Sequence, residues 1–253
     1  MSLQSEAMQN NPLLHHVMAS NGDMYQAISP IPTEAMAAIP LSNGDDVKNA
    51  IGHARTVFDT WSRSPIGDRE KIMRKLQKLI LRQRHELLDI IQRETGKARS
   101  HALEELMHVV MTARYLEMNG AGVIKSRSRE GAVPVQTNTY VNHMPVGVVG
   151  VIGPWNYPVF TPMGSIAYAL AAGNTVVFKP SEYTPGVGVA LAELFEHVAG
   201  SSEYFQVVTG FGETGAALCT SGVKKLAFTG STATAKKVAA LCAQSLTPVI
   251  AEC

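Results

Sequence analysis

Short segments in the second half of this 253-residue chain carry the residue types that bind phosphates and sugars or move protons. Gly210-Phe-Gly212-Glu-Thr-Gly215 is a literal G-x-G-x-x-G that follows a strand-like run and opens a helical one. Glycines at that spacing can cradle a pyrophosphate at a helix N-terminus. A dinucleotide fingerprint also wants a carboxylate about 20 residues further on for a ribose hydroxyl. None occurs between Glu213 and Glu252, and three glycines making a tight turn explain the motif equally well. Phe228-Thr-Gly230-Ser231-Thr232 offers a second phosphate position. There Gly230 permits close approach, and Ser231 with the free N–H groups of a first helical turn lies where the helix dipole favours negative charge. An ordinary capping serine has the same local appearance. Lys179-Pro-Ser181-Glu182 sets a cation and a carboxylate at the end of another apolar run, and otherwise reads as a polar loop that starts a helix. Asn156, between Trp155 and Pro158, and Glu252, behind an apolar run, are isolated polar groups whose plainer roles are a turn residue and a solvated charge.

These segments sit at the junctions of a regular alternation. Val146–Ile152, Thr175–Lys179, Phe205–Thr209, Lys225–Phe228 and Pro248–Ala251 are short apolar runs of the kind that form buried parallel strands. Helical segments separate them near Thr161–Ala172, Gly186–Ala199, Glu213–Thr220 and Ser231–Gln244. Five strands joined by helical crossovers predict an α/β fold, a doubly wound, Rossmann-like parallel sheet whose ligand lies at the carboxyl ends of the strands. Upstream, apolar residues recur at helical spacing over Asp45–Trp61, over Asp68–Arg93 with Gly96 as the stop, and over Ser100–Met118. Between Gly120 and Pro145 the pattern changes to alternation of β-branched and polar residues, which predicts an extended hairpin arm suited to pairing with another subunit. The expected organisation is a loosely ordered segment over 1–40, a helical part over 41–130, the arm over 131–145 and the sheet over 146–253.

Composition narrows the partners. A hydrophobic content of 45% over this length buries a core, and a formal net charge of +1 supplies no field to gather nucleic acid or an anionic membrane. Lys71, Arg74, Lys75, Lys78 and Arg82 form a basic stripe on the second helical segment. No aromatics interleave with it and acidic residues follow closely, so it reads as a solvated face. His15–His16 is not surrounded by further ligand types and reads as no metal site. Cys219, Cys242 and Cys253 make an odd number without a C-x-x-C pair or a secretory leader, which predicts a reducing, cytoplasmic setting. No apolar run approaches the roughly 20 residues that cross a bilayer.

In order, Gly150-Val-Ile-Gly-Pro-Trp-Asn156-Tyr-Pro158, Lys179-Pro-Ser-Glu182, Phe228-Thr-Gly-Ser231 and Leu246-Thr-Pro-Val-Ile-Ala-Glu252 resemble the aldehyde dehydrogenase superfamily from about Asp45 onward. The resemblance implies NAD(P)-dependent oxidation of an aldehyde to a carboxylic acid through a cysteine thiohemiacetal and thioester. It implies that Asn156 donates to the oxyanion and that Glu252 activates the hydrolytic water. It carries cofactor-binding roles onto Ile152, Gly153, Pro154, Trp155, Lys179, Ser181, Glu182, Gly212, Phe228, Thr229, Gly230, Ser231 and Thr234. Glu182, accepting from both ribose hydroxyls, favours NAD, although Lys179 and Ser181 keep NADP open. The segment Glu94-Thr-Gly-Lys-Ala-Arg99, followed by Glu104-Glu105 and later Pro154-Trp-Asn-Tyr-Pro158, looks most like bacterial succinate-semialdehyde dehydrogenase relatives, with fatty and aromatic aldehydes as the competing substrate classes.

The chain departs from the family pattern in three respects. Alanine stands at 235, where relatives often carry glycine, so its methyl either tightens the phosphate approach or packs. The nucleophilic cysteine, which the family places beyond the glutamate, is absent. If the strand continues past Glu252, Cys253 faces away from it and is a poor substitute nucleophile, and Cys219 and Cys242 are expected to be core residues. The length is about half that of a complete enzyme. The resemblance therefore predicts a truncated chain without its catalytic domain, inactive alone. The alternatives are a dinucleotide-binding remnant, or one piece of a split enzyme that needs a complementary C-terminal half as well as homo-oligomer contacts.

Overall fold

A computed structural model describes residues 16–31, 36, 38–131 and 137–253. His15, the remainder of 1–15 and the 132–136 tip of the expected arm lie outside the described residues. The predicted alternation forms one five-stranded, wholly parallel sheet from β5 (Val148–Ile152), β6 (Thr175–Lys179), β7 (Phe205–Val207), β8 (Lys225–Thr229) and β9 (Val249–Glu252). Its spatial order, β7-β6-β5-β8-β9, reverses direction between β5 and β8. A doubly wound sheet opens its ligand crevice at that reversal, beyond the carboxyl ends of the strands. The strand expected from Val146 begins at Val148 because Gly147 sits at φ 129°, outside the strand region.

Residues pointing to opposite faces of the sheet build two cores. Val149, Val151, Val176, Phe178 and Phe205 meet α2 (Ile66–Arg82), α3 (Arg84–Thr95), α4 (Arg99–Ile124), α5 (Phe160–Ala171) and α6 (Pro185–Ala199) on one side. Val148, Val177, Leu226 and Phe228 meet α1 (Gly44–Arg63), α7 (Gly212–Thr220) and α8 (Thr232–Ala243) on the other. Both faces of β5 to β8 are covered, so these strands read as apolar runs instead of alternating ones, whereas β9, also expected to be buried, is an edge strand with Ile250, Ala251 and Glu252 exposed. Trp61 joins α1 to this framework, its Nε1 donating to Leu170 O at 3.1 Å and its ring stacked on Tyr204.

Three expectations need correction. The helix read over Asp68–Arg93 breaks at Gln83 (φ −94°, ψ 17°), which caps α2 and opens α3. Arg84 Nη1 donates to the freed Leu81 carbonyl at 2.9 Å, and no glycine or proline marks the break. The hairpin is β3 (Arg127–Glu130) paired antiparallel with β4 (Asn138–Val141), so its first strand lies before the expected 131–145. That strand is exposed on both faces and reads Arg-Ser-Arg-Glu, with no alternation to mark it.

The described part of the N-terminal stretch is tied down, not loose. Val17 bridges the edge strand at Val207, Met18 N donates to Val207 O at 3.1 Å, and β1 (Met24–Gln26) pairs with β2 (Ala38–Pro40). These contacts satisfy backbone groups on the β7 edge that would otherwise be open to another chain. The basic stripe is exposed, with Lys71 paired to Asp68 at 2.8 Å and Arg74 to Glu117 at 2.5 Å. Among the described residues no helix is long and apolar enough to cross a membrane, and no cluster of three metal-ligand side chains occurs.

Candidate active site

The sheet register brings the chemically loaded junctions level. Ile152 pairs with Lys179 on one side and Phe228 on the other, and Thr229 pairs with Glu252. A cleft of about 870 Å³ opens over this row, between the starts of α7 and α8 and beneath the loop that follows β5. Its wall includes Ile152, Gly153, Pro154, Trp155, Asn156, Lys179, Ser181, Glu182, Gly212, Phe228, Thr229, Gly230, Ser231, Thr234 and Glu252. Every residue to which the resemblance assigns a catalytic or cofactor-binding role thus lines one cavity, although 152 and 252 are far apart along the chain.

Close packing fixes the loop after β5. Gly153 N donates to Lys179 O at 3.1 Å, and a Cβ on Gly153 would stand 3.0 Å from the Phe178 ring and 3.2 Å from Pro162. Asn156 Oδ1 accepts from Tyr157 N at 3.0 Å, which leaves its Nδ2 as the group able to donate to a ligand. After β6, Lys179 is almost wholly buried, with Nζ donating to Pro180 O at 3.2 Å and lying 3.9 Å from Glu182 Oε2. Burial lowers its ammonium pKa from the usual lysine range, and the Glu182 carboxylate opposes that shift.

At the β8–α8 junction a Cβ on Gly230 would meet the Phe228 ring at 2.7 Å, so a larger residue there requires the ring to move. Gly230 N donates to Glu252 O at 3.1 Å, and Thr229 Oγ1 reaches Glu252 Oε2 at 3.4 Å, which ties β9 to this turn. Ser231 Oγ caps α8 by accepting from Thr234 N at 3.3 Å. The next N–H groups of that turn keep the positive end of a twelve-residue helix beside the cleft. The glycines at 210, 212 and 215 divide their roles. Gly210 takes φ 147° to turn the chain out of the sheet, and Gly212 lines the cleft with open space above it. A Cβ on Gly215 would stand at ordinary contact distance from the Lys179 stem and Ile152, 3.6 and 3.8 Å, so packing does not require glycine there. The segment forms a strand-to-helix turn and part of the cleft wall.

A dinucleotide fits what these residues offer: a glycine packed tightly against Phe228, a capped helix N-terminus, and a carboxylate and a cation on the neighbouring loop. Gly215 of the glycine motif also lines the wall, as do Phe211, Ala216, Cys219, Lys237, Val238, Leu241 and Cys253, to which the sequence reading gave no site role. Most are apolar faces of α7 and α8 whose periodicity marks them only as core. Cys219 is buried as expected and also contributes to the wall. Cys253 lines the cleft beside Glu252; β9 ends at Glu252, so the alternation expected of a continuing strand does not reach it. Ala235 is 6% exposed and packs under α8 outside the cleft, so its methyl is a core group.

The sequence model of the aldehyde dehydrogenase family matches residues 16–253. The chain belongs to that family. It is 37% identical over 217 residues to a protein named putative succinate-semialdehyde dehydrogenase [NADP(+)] from Mycolicibacterium smegmatis, covering 86% of this chain and 42% of the relative. An alpha-ketoglutarate semialdehyde dehydrogenase from Haloferax volcanii is 34% identical, with 85% and 45% covered. The crystal structure of an NAD-dependent aldehyde dehydrogenase from Sinorhizobium meliloti superposes with a TM-score of 0.87 at 32% identity, covering 93% of this chain and 47% of that one. The chain therefore spans about half the length of the aldehyde dehydrogenases it matches, corresponding to their N-terminal half.

Proposed function

We propose that this chain is the cofactor-binding half of an NAD(P)-dependent aldehyde dehydrogenase that oxidises an aldehyde to a carboxylic acid. The observation that carries the reading is the convergence of four separated segments on one cleft at the carboxyl edge of the sheet. Glu182 would accept hydrogen bonds from the adenosine ribose hydroxyls, with Lys179 and Ser181 beside it. Ser231 and the α8 N-terminus, with Thr229, Gly230 and Thr234, would hold the pyrophosphate. Ile152, Gly153, Pro154, Trp155 and Phe228 would border the path towards Asn156, and Gly212 the adenosine end. A bound nicotinamide supplies the hydride acceptor of the oxidation.

Asn156 Nδ2 would donate to the oxyanion formed when a thiolate attacks the aldehyde carbon. Glu252 Oε would take the proton of the water that hydrolyses the thioester. In this reading the thiol comes from the part of the relatives' length that this chain does not span. The carboxylate at 182 favours NAD, since a 2′-phosphate there would meet like charge; the Lys179 ammonium 3.9 Å away offsets this only in part. The name of the Mycolicibacterium smegmatis relative favours succinate semialdehyde as the substrate. The exposed β3–β4 arm is suited to pairing with a second copy.

Calorimetric titration of the chain with NAD and, separately, NADP tests the cofactor reading. Saturable binding with NAD the tighter ligand is expected, and Glu182→Gln should narrow the difference. Absence of saturable heat with both dinucleotides would overturn it.

A further inference from the structure

The segment Glu94-Thr-Gly-Lys-Ala-Arg99 and the glutamates that follow it belong to the α3–α4 region, outside the cleft wall. Yet two of its charged groups are buried against the loop that carries Asn156. Glu105, on the second turn of α4, is fully buried. Its Oε2 accepts from Val159 N at 3.1 Å and Phe160 N at 3.2 Å, the first N–H groups of α5. Its Oε1 pairs with the Lys97 ammonium. Lys97, with 14% of its side chain exposed, also donates from Nζ to Asn156 O at 2.6 Å and lies 4.5 Å above the centre of the Tyr157 ring. Tyr157 N in turn donates to Asn156 Oδ1 at 3.0 Å.

We propose that Lys97 and Glu105 are positioning residues for the Asn156 amide, so that the helical part of the chain sets the direction of the donor from outside the cleft. The loop from Gly153 to Val159 has no regular secondary structure of its own. The pair holds both of its far points: the Asn156 carbonyl through Lys97, and the Val159–Phe160 amides through Glu105. With the backbone fixed at both points and Oδ1 engaged by Tyr157, Nδ2 faces the cleft as a donor. A buried ion pair is weak evidence of stabilisation, since desolvation offsets much of its attraction, and its better-attested use is to specify one arrangement. Here each partner also meets a backbone group of the loop, which is what a positioning role requires. The inference rests on the oxyanion role proposed above for Asn156, but its structural content can be tested without turnover.

The test is nitrogen-15 NMR and amide hydrogen exchange on this chain. The Asn156 side-chain amide should give one sharp resonance pair, and the Tyr157, Val159 and Phe160 amides should be protected. Lys97→Met should shift or broaden that pair and speed exchange at those three amides by about tenfold, leaving amides of α8 within about twofold. Lys97→Arg, which keeps the charge and can donate to both partners, should restore the wild-type pattern. Glu105→Gln keeps an acceptor for the α5 amides while weakening the hold on Lys97. It should move the Asn156 resonance in the same direction, and it serves if the methionine variant does not fold. An unmoved Asn156 resonance in these folded variants, or faster exchange spread evenly over the chain, would overturn the proposal. Dinucleotide titration of the same samples separates the two readings. Failure of wild type to bind would sink the cofactor assignment alone, whereas an unmoved Asn156 signal with intact binding would sink the positioning role alone.

Discussion

Glu94 gives the chain a pH-dependent stability that one substitution should remove. It closes α3 at 5% exposure and accepts from Gly186 N at 2.7 Å and Val187 N at 2.9 Å, at the start of α6 behind the Glu182 loop. Burial pushes its carboxyl pKa from 4.5 up to about 7, against the two backbone donors, which favour the anion. Between these values the native chain holds a proton that the unfolded chain has released. Stability is therefore full below about 4.5 and falls as pH rises through about 7. A rise of about 2.5 in pKa, at about 1.4 kcal/mol for each, is worth ~3 kcal/mol.

The assay is urea unfolding of wild type and Glu94→Gln at about pH 5 and about pH 8. Wild type should lose up to ~3 kcal/mol more than the variant across that interval. Asp89 and Glu117 have carboxyl pKa values lowered chiefly by hydrogen bonds from Arg99 and Arg74, so their stability terms are lost only as pH falls below the usual carboxylate range, outside this window. All other titratable groups are common to both proteins, so their contributions cancel in the difference. Equal losses in wild type and Glu94→Gln would refute the assignment.

Packing and reactivity supply two more tests. A Cβ at Gly150, in the middle of the central strand, would stand 2.6 Å from Leu226 Cδ1 and 3.4 Å from Leu218 and Val223, so Gly150→Ala should cost about 1–3 kcal/mol. Gly52→Ala on α1, where nothing lies within 4 Å, should stabilise by ~0.5–1 kcal/mol, and thermal unfolding giving both the same sign would contradict this packing. Burial pushes the Cys219 thiol up to about 12 and raises that of Cys242, while Cys253 is exposed. An aromatic disulfide reagent should therefore label one thiol quickly in the native chain and three after unfolding. Rapid native labelling of a second thiol would show that the α7–α8 packing is open.

The alternating sheet was legible from residue pattern because strands buried on both faces must be apolar throughout. Thr175–Lys179 begins and ends where the run predicts. Elements whose partners are not local were misread. The β3 strand has no buried face to create alternation, the α2–α3 break at Gln83 carries no glycine or proline to mark it, and the described part of the N-terminal stretch is held on the β7 edge by Val17 and Met18. In the site, the motif residues were legible because turns and caps demand particular residue types. The apolar walls from Ala216, Val238 and Leu241 were not, since core and cleft positions on a helix share one periodicity.

Composition, strand and helix order, and the short motifs with their spacing follow from the sequence alone, because side-chain chemistry and backbone preference act over a few residues. Only the tertiary structure decided that Ile152 stands level with Lys179 and Phe228, and Thr229 with Glu252. It alone decided that Ala235 packs outside the cleft while Cys253 lines it, and that Lys97 and Glu105 reach the Asn156 loop. Those relations depend on sheet register and on the burial of charged groups from distant segments. No local spacing encodes either one.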